Sequence, residues 1–341
     1  MEDNFEKQLN KIINEEKEIP SVVRISLDST YDRIRAMPKK KNRVVGKIAA
    51  AVCCVVILGS MVTNESVRAG IKTFFDFNDK GVEKAINEGW ISENSSSACD
   101  NGVEVTLDSY FADCNKIGLS IMLKFNDSKI LKGIDKVSLD YRIKNGDGEY
   151  IEEFIPDTKP LKGKKQYISN VNDRNSKIDL ENNEVQYDVI LESEEGAIPK
   201  LENAVVEVES IKFFKNNKKV KDIDGIWNLK LNGGKSNDIN AVEYKAVNNT
   251  SKIEIISAKS SPTSFNITFS VDGECINEKE FMPKDIKLVD GNGKEYQSNG
   301  YSSELKNNKT IISTNFSLSS YEDFDKLKLV VPSMGEAELE K

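Results

Sequence analysis

"DNGVEVTLDSYFADCNKIGLSIMLKF", Asp100 to Phe125, places apolar side chains at every second position on either side of a short polar break. Val103, Val105 and Leu107 alternate with polar residues, and Ile117, Leu119, Ile121, Leu123 and Phe125 do so more regularly. A period of two sends one set of side chains to one face of a strand, so both runs read as β-strands with a single buried face. A hairpin turning near Asp113 would set Cys99 opposite residues around Phe125. A Cys99–Cys114 disulfide needs Cα atoms within about 7 Å. That register disfavours the bridge, an oxidising compartment would permit it, and the pairing stays open.

Toward the C-terminus the same period continues. Strands are expected around Lys136–Lys144, Val185–Leu191 and Ala204–Phe214, punctuated by the turns "KNGDGE" and "LENNE", and Trp227 and Leu229 close this first unit. Residues 232–251 mix turn formers with one short apolar run and read as a crossing between modules. A second alternating set follows: Ile253 and Ile255, then Phe265 to Val271, Ile286 and Leu288, Ile311 to Leu318, and Leu327 to Val331. "KLVDGNGKEY" is a hairpin whose Gly/Asn pair supplies positive φ. No helical crossover supports a parallel sheet. The expected fold is mainly β, with two successive antiparallel, immunoglobulin-like sandwiches, 99–231 and, with the crossing segment, 232–341.

Toward the N-terminus the pattern changes. Val44 to Thr63 carries one charge, Lys47, and twenty helical residues rise roughly 30 Å, the thickness of a bilayer's hydrocarbon core. Lys39, Lys40, Lys41 and Arg43 precede the run, so the positive-inside rule puts residues 1–43 in the cytoplasm and residues 64–341 outside the cell membrane. A cleavable signal would have a shorter lead, and a buried core helix would be amphipathic; the expectation is a single-pass transmembrane helix over 44–63. Residues 64–98 read as a juxtamembrane helix, within Ile71–Glu88, and a linker.

The cytoplasmic arm reads as two short helices divided at Glu18-Ile19-Pro20. In the second, Val23, Leu27, Tyr31, Ile34 and Met37 recur at helical spacing and share one face. An arm this small holds a core of its own poorly. The stripe either covers itself or the membrane surface, or binds a partner; the partner-binding reading is preferred, with these five residues as the candidate contact.

Composition excludes much. The chain of 341 residues has no histidine, which removes the usual general base, the commonest metal ligand and every Ser-His or Cys-His pair. Its net charge of −8 disfavours direct nucleic-acid binding. Five cysteines form no CxxC spacing, so neither a metal nor a cofactor is expected, and an enzyme is not. Ser303-Glu-Leu-Lys306 matches S-x-x-K without its companion motifs. "DGNGKEY" lacks the calcium-loop pattern. The sequons at Asn266 and Asn315 follow from abundant Asn, Ser and Thr.

"FFDFNDKGVEKAINEG" and "DNGVEVTLDSYFADCNKIGLSIML" resemble the DUF4179 family of bacterial single-pass proteins, with Cys114 standing where that family has the glycine of its A-D-G-N turn. "SSPTSFNITFSVDG" with "DIKLVDGNGKEY" resembles the immunoglobulin-like DUF5643 domain, and "IPSVVRISLDSTYDRIRAMPKKK" resembles the cytoplasmic segment of the same proteins. The resemblance implies an anti-sigma-factor-like regulator of Gram-positive bacteria, partnered inside by an extracytoplasmic-function sigma factor. It lacks the His-x3-Cys-x2-Cys zinc motif of well-known anti-sigma domains. The competing expectation is a surface-anchored binding or adhesion protein.

Overall fold

The alternation on either side of Asp113 does form a hairpin. The computed structural model describes residues 78–127, 129–196, 198–231, 241–248, 252–272, 285–332 and 334–341. The arm and the apolar run at 44–63 lie outside the described residues, among which no helix is long and apolar enough to cross a membrane. What is described is mainly β, with every strand pair antiparallel.

A short helix, α1 (Lys80–Asn87), opens the described chain. It begins where Asp79 accepts hydrogen bonds from the Gly81 and Val82 amides, at 3.0 and 3.1 Å, satisfying two orphan donors of the first turn. It ends at Gly89, whose φ of 79° lets the chain reverse. The Gly89 amide then reaches the Ile86 carbonyl and the Trp90 amide the Ala85 carbonyl, a Schellman closure.

The first sandwich follows. One sheet orders β1 (Ser92–Asp100), β2 (Val103–Ala112), β3 (Lys116–Phe125), β7 (Glu184–Glu192) and β6 (Asn170–Asp179). The other orders β5 (Tyr150–Phe154), β4 (Lys136–Lys144), β8 (Val205–Lys215) and β9 (Lys218–Lys230). Val105, Leu107, Leu119 and Leu123 from one sheet and Leu139, Ile143, Val206 and Trp227 from the other share one core. Trp227 is wholly buried and donates its indole N–H to the Val103 carbonyl at 3.1 Å, satisfying the polar handle of a core tryptophan across the two layers.

β1 occupies the end of the stretch read as linker, so the first sandwich begins at Ser92 and not at 99. Its polar sequence hides it from a periodicity reading because it is an edge strand. Polar side chains also close that edge: Asn94 of β1 and Asn101 of the β1–β2 turn donate to the Lys230 and Asp224 carbonyls of β9, at 2.8 and 2.7 Å. Cys99 pairs with Glu104 in the β1–β2 ladder, a correction to the expected pairing with residues around Phe125. No disulfide joins Cys99 to Cys114. All of β2 separates them, since the β1–β2 turn lies at one end of the sandwich and Asp113 at the other.

The second sandwich is a single hydrogen-bonded series: β10 (Val242–Glu243), β12 (Ile253–Ser260), β13 (Phe265–Asp272), β16 (Lys309–Phe316), β15 (Glu295–Lys306), β14 (Lys287–Asp290), β17 (Lys326–Val331), β18 (Gly335–Glu340) and β11 (Lys245–Asn248). It bends at an irregularity between Ser298 and Gly300, where β15 leaves β14 and joins β16. β10 and β11 stand at opposite ends of the series yet flank Tyr244, so the chain itself joins the two edges. Phe265, Ile267 and Phe269 from one layer meet Leu288, Leu327 and Leu329 from the other. The expected "DGNGKEY" hairpin is present, with Asp290 accepting from the Asn292 and Lys294 amides. Ser303 and Lys306 both lie on β15, three positions apart and therefore on opposite faces.

Candidate functional site

The β2–β3 turn, Ala112-Asp113-Cys114-Asn115, is the centre of a polar junction between the sandwiches. Asp113 is fully buried. One carboxylate oxygen accepts from the Asn115 and Lys116 amides, at 2.9 and 2.8 Å, and so shapes the turn. The other accepts from the amide and the hydroxyl of Thr263, at 2.9 and 2.7 Å, and so ties the turn to the second sandwich. Burial pushes this carboxyl above the ordinary range, against the four hydrogen bonds that lower it. Cys114 takes the glycine's place without strain, because the described non-glycine residues of positive φ are all asparagines. Burial, with the Asp113 charge beside it, raises its thiol to about 11, and its Sγ lies 3.0 Å from Ser261 Oγ.

Two asparagines extend the joint. Asn266 donates to the Glu194 carbonyl at 2.7 Å and to Asn315 Oδ1 at 2.8 Å, and Asn315 donates to the Ser193 carbonyl at 2.7 Å. Both side chains are buried, so these sequons are structural and closed to a glycan in the folded protein. Gly196, at φ 63°, passes so close that a Cβ would lie 2.7 Å from Asn115 Oδ1.

α1 completes the junction. Its cap, Asp79, pairs through its second oxygen with Lys116, which is fully buried and also stands 3.5 Å from Glu192. Burial alone would lower the Lys116 pKa; the Glu192, Asp79 and Asp113 carboxylates outweigh it and raise the pKa. At Gly81 a Cβ would lie 2.0 Å from the Thr263 carbonyl oxygen, so the helix backbone touches the second sandwich directly. Val82, Ala85, Ile86 and Trp90 form a small apolar cluster with Phe111 and Ile190, against which Tyr321 packs.

The stripe of Val23, Leu27, Tyr31, Ile34 and Met37 lies outside the described residues. The junction residues carried no role in the sequence reading, although their motifs were visible in it: "DKG" holds Asp79 and Gly81, "ADCN" holds Asp113 and Asn115, and "SSPTSFN" holds Thr263 and Asn266. The signal that could have found them is a polar residue at a position where the strand pattern has no solvent to offer. Elsewhere, an open groove of about 550 Å³ is lined by Lys159, Glu207, Glu209, Asp224 and Ile226. Two of its acids are engaged, Glu207 with Lys144 and Glu209 with Arg142 and Lys159. No group of three or more His, Cys, Asp or Glu among the described residues could hold a metal ion.

The fold and the junction thus define a mainly β protein of two sandwiches, joined by buried polar contacts and entered through a capped helix. Residues 39–125 match the model of DUF4179, a domain of unknown function. The match runs from the basic residues before the apolar run to the last residue of β3. No curated protein matches. Among solved structures, the crystal structure of a conserved domain protein from Bacillus anthracis is similar at 16% identity and a TM-score of 0.45, covering 71% of this chain and 77% of that one.

Proposed function

We propose that the chain is a single-pass membrane regulator. Residues 1–43 hold an extracytoplasmic-function sigma factor in the cytoplasm through Val23, Leu27, Tyr31, Ile34 and Met37. Residues 44–63 cross the membrane, and the β domains, the second of them DUF5643-like, meet an external signal. No cofactor, catalysis or direct nucleic-acid contact is part of this reading. The observation that supports it is the placement of α1. The segment leading out of the apolar run is capped, closed and seated against both sandwiches, where a loose tether would suffice for mere anchoring.

Sequestration fits an apolar helical face that covers a partner's surface until released. Changing Leu27 and Ile34 to Asp in the full chain should abolish capture of the sigma factor encoded beside it; undiminished capture removes the stripe from the mechanism. Replacing residues 1–37 with an unrelated tail of similar charge should switch on that factor's regulon. Preserved surface binding with a silent regulon would instead favour the adhesion reading.

A further inference from the structure

We infer that α1 is a latch whose docked state is conditional on the two sandwiches holding their present arrangement, so that separating them frees the segment leading toward the apolar run. The direction of signalling rests on the membrane-regulator reading; the conditional docking does not.

The seat of α1 has two owners. Phe111, Ile190 and Lys116 come from the first sandwich, and the Thr263 carbonyl, the Ser317 backbone and Tyr321 come from the second. An eight-residue helix is too short to persist alone in water, so α1 draws its stability from that seat. The two large cores are separate, each confined to its own sandwich. Among the described residues, the apolar cluster that takes members from both is the one built on α1. The other ties seen between the sandwiches are polar: Thr263 to Asp113, Cys114 to Ser261, Asn115 to the Ser264 carbonyl, Asn266 to the Glu194 carbonyl and Asn315 to the Ser193 carbonyl.

The helix is therefore the apolar fastening of a joint that is otherwise polar. Docking of α1 favours closure, and closure favours docking by the same free energy, since such coupling is reciprocal. Asp113 and Thr263 couple the joint to the α1 seat: they are bonded to one another, the Thr263 carbonyl faces Gly81, and Asp113 accepts from the amide of Lys116, the partner of Asp79.

The test is amide exchange of the full chain in lipid nanodiscs, comparing the native sequence with the double variant Asn266→Ala, Asn315→Ala. Neither side chain is part of the α1 cluster. Losing one to two net hydrogen bonds across the joint should speed exchange of the Glu83, Glu88 and Trp90 amides about five- to thirty-fold. The amides of Leu119–Leu123 and Ile267–Phe269 should keep their protection. Unchanged α1 exchange overturns the latch. If the double variant unfolds, Ile86→Asp gives the reciprocal measurement, because α1 lies outside both cores. Undocking the helix from the first sandwich should then speed exchange of the Thr263 amide, and an unchanged Thr263 amide overturns the latch equally. A sigma-regulon reporter that stays silent while exchange shifts as expected would remove the regulator reading and leave the latch standing.

Discussion

Lys116 offers the sharpest energetic test of the junction. Its ammonium is fully buried, pairs with Asp79, and lies 3.5 Å from Glu192. Lys116→Met keeps the apolar stem and deletes the charge, leaving two carboxylates whose side chains are only 14% and 12% exposed. Breaking a buried pair from one side costs about 3–5 kcal/mol, and the residual exposure puts this case near 3. Asp79→Asn keeps an acceptor for the Gly81 and Val82 amides, because asparagine caps helices well, but turns an NH2 donor toward the buried Lys116 ammonium and leaves it Glu192 as its charged neighbour, at a cost of about 1–3 kcal/mol. The double variant should lose less than the sum of the two, with a coupling of about 1–3 kcal/mol, because the stranded Asp79 charge is gone. Urea unfolding of the full chain, read by tryptophan fluorescence, measures this: Trp90 sits beside α1 and Trp227 inside the first sandwich. The folded Lys116 pKa is raised, so its stabilisation is complete below the ordinary lysine value of about 10.4 and is lost only as pH climbs past the raised one. Measurements at pH 7 therefore capture it whole. Losses that simply add, within about 0.5 kcal/mol, would show that no ion pair holds the helix cap.

Gly196→Ala should destabilise the protein by about 1–3 kcal/mol, seen as a lower Tm, because alanine at φ 63° is strained and its Cβ meets Asn115 Oδ1 at 2.7 Å; an unchanged Tm would show that the 193–196 segment yields freely. Asp108, on β2 where the ladder to β3 slips between Leu107 and Ser109, has its carboxyl pushed up to about 6 by burial, with Gln186 opposing and Asp188 and Glu184 assisting. The folded state then binds the extra proton between about pH 4 and 6, so stability is fullest below about pH 4 and falls as pH rises to 6. The gap is worth at most about 3 kcal/mol, nearer 1–2 for a partly exposed group. Asp108→Asn should flatten that slope and raise stability at pH 7 relative to the native sequence; a slope that persists in the variant would place its origin in another carboxylate.

What was legible in the sequence follows from solvent. Lys136–Lys144 and Val185–Leu191 face water on one side or lie centrally in a sheet, so apolar alternation marks them, and β4 and β7 fall where expected. β1 and β6 are edges written in polar residues, and β10 and β11 are two and four residues long, too short to show a period. Of the helix expected within Ile71–Glu88, the cap at Asp79 and the turn at Gly89 bound the described part to Lys80–Asn87, and residues 71–77 lie outside the described residues. The junction was illegible as a site because its parts are far apart in sequence, 37 residues for Asp79–Lys116 and 150 for Asp113–Thr263, and each part alone reads as an ordinary turn or cap.

A polar joint and an apolar latch divide the energetics in a way that suits opening. Each buried hydrogen bond across the joint nets only about 1 kcal/mol, since the same groups bond water when the sandwiches part. Leaving one partner buried without the other would cost more, so the joint favours full closure or full opening over intermediate positions. The non-directional part of the adhesion comes from Val82, Ile86 and Trp90, which belong to α1 and its exit and not to either sandwich. Moving those three side chains away leaves Phe111 and Ile190 facing water and removes the apolar share of the closure energy in one step. A load applied at residue 78 acts directly on that share, because Asp79 is both the helix cap and the partner of Lys116.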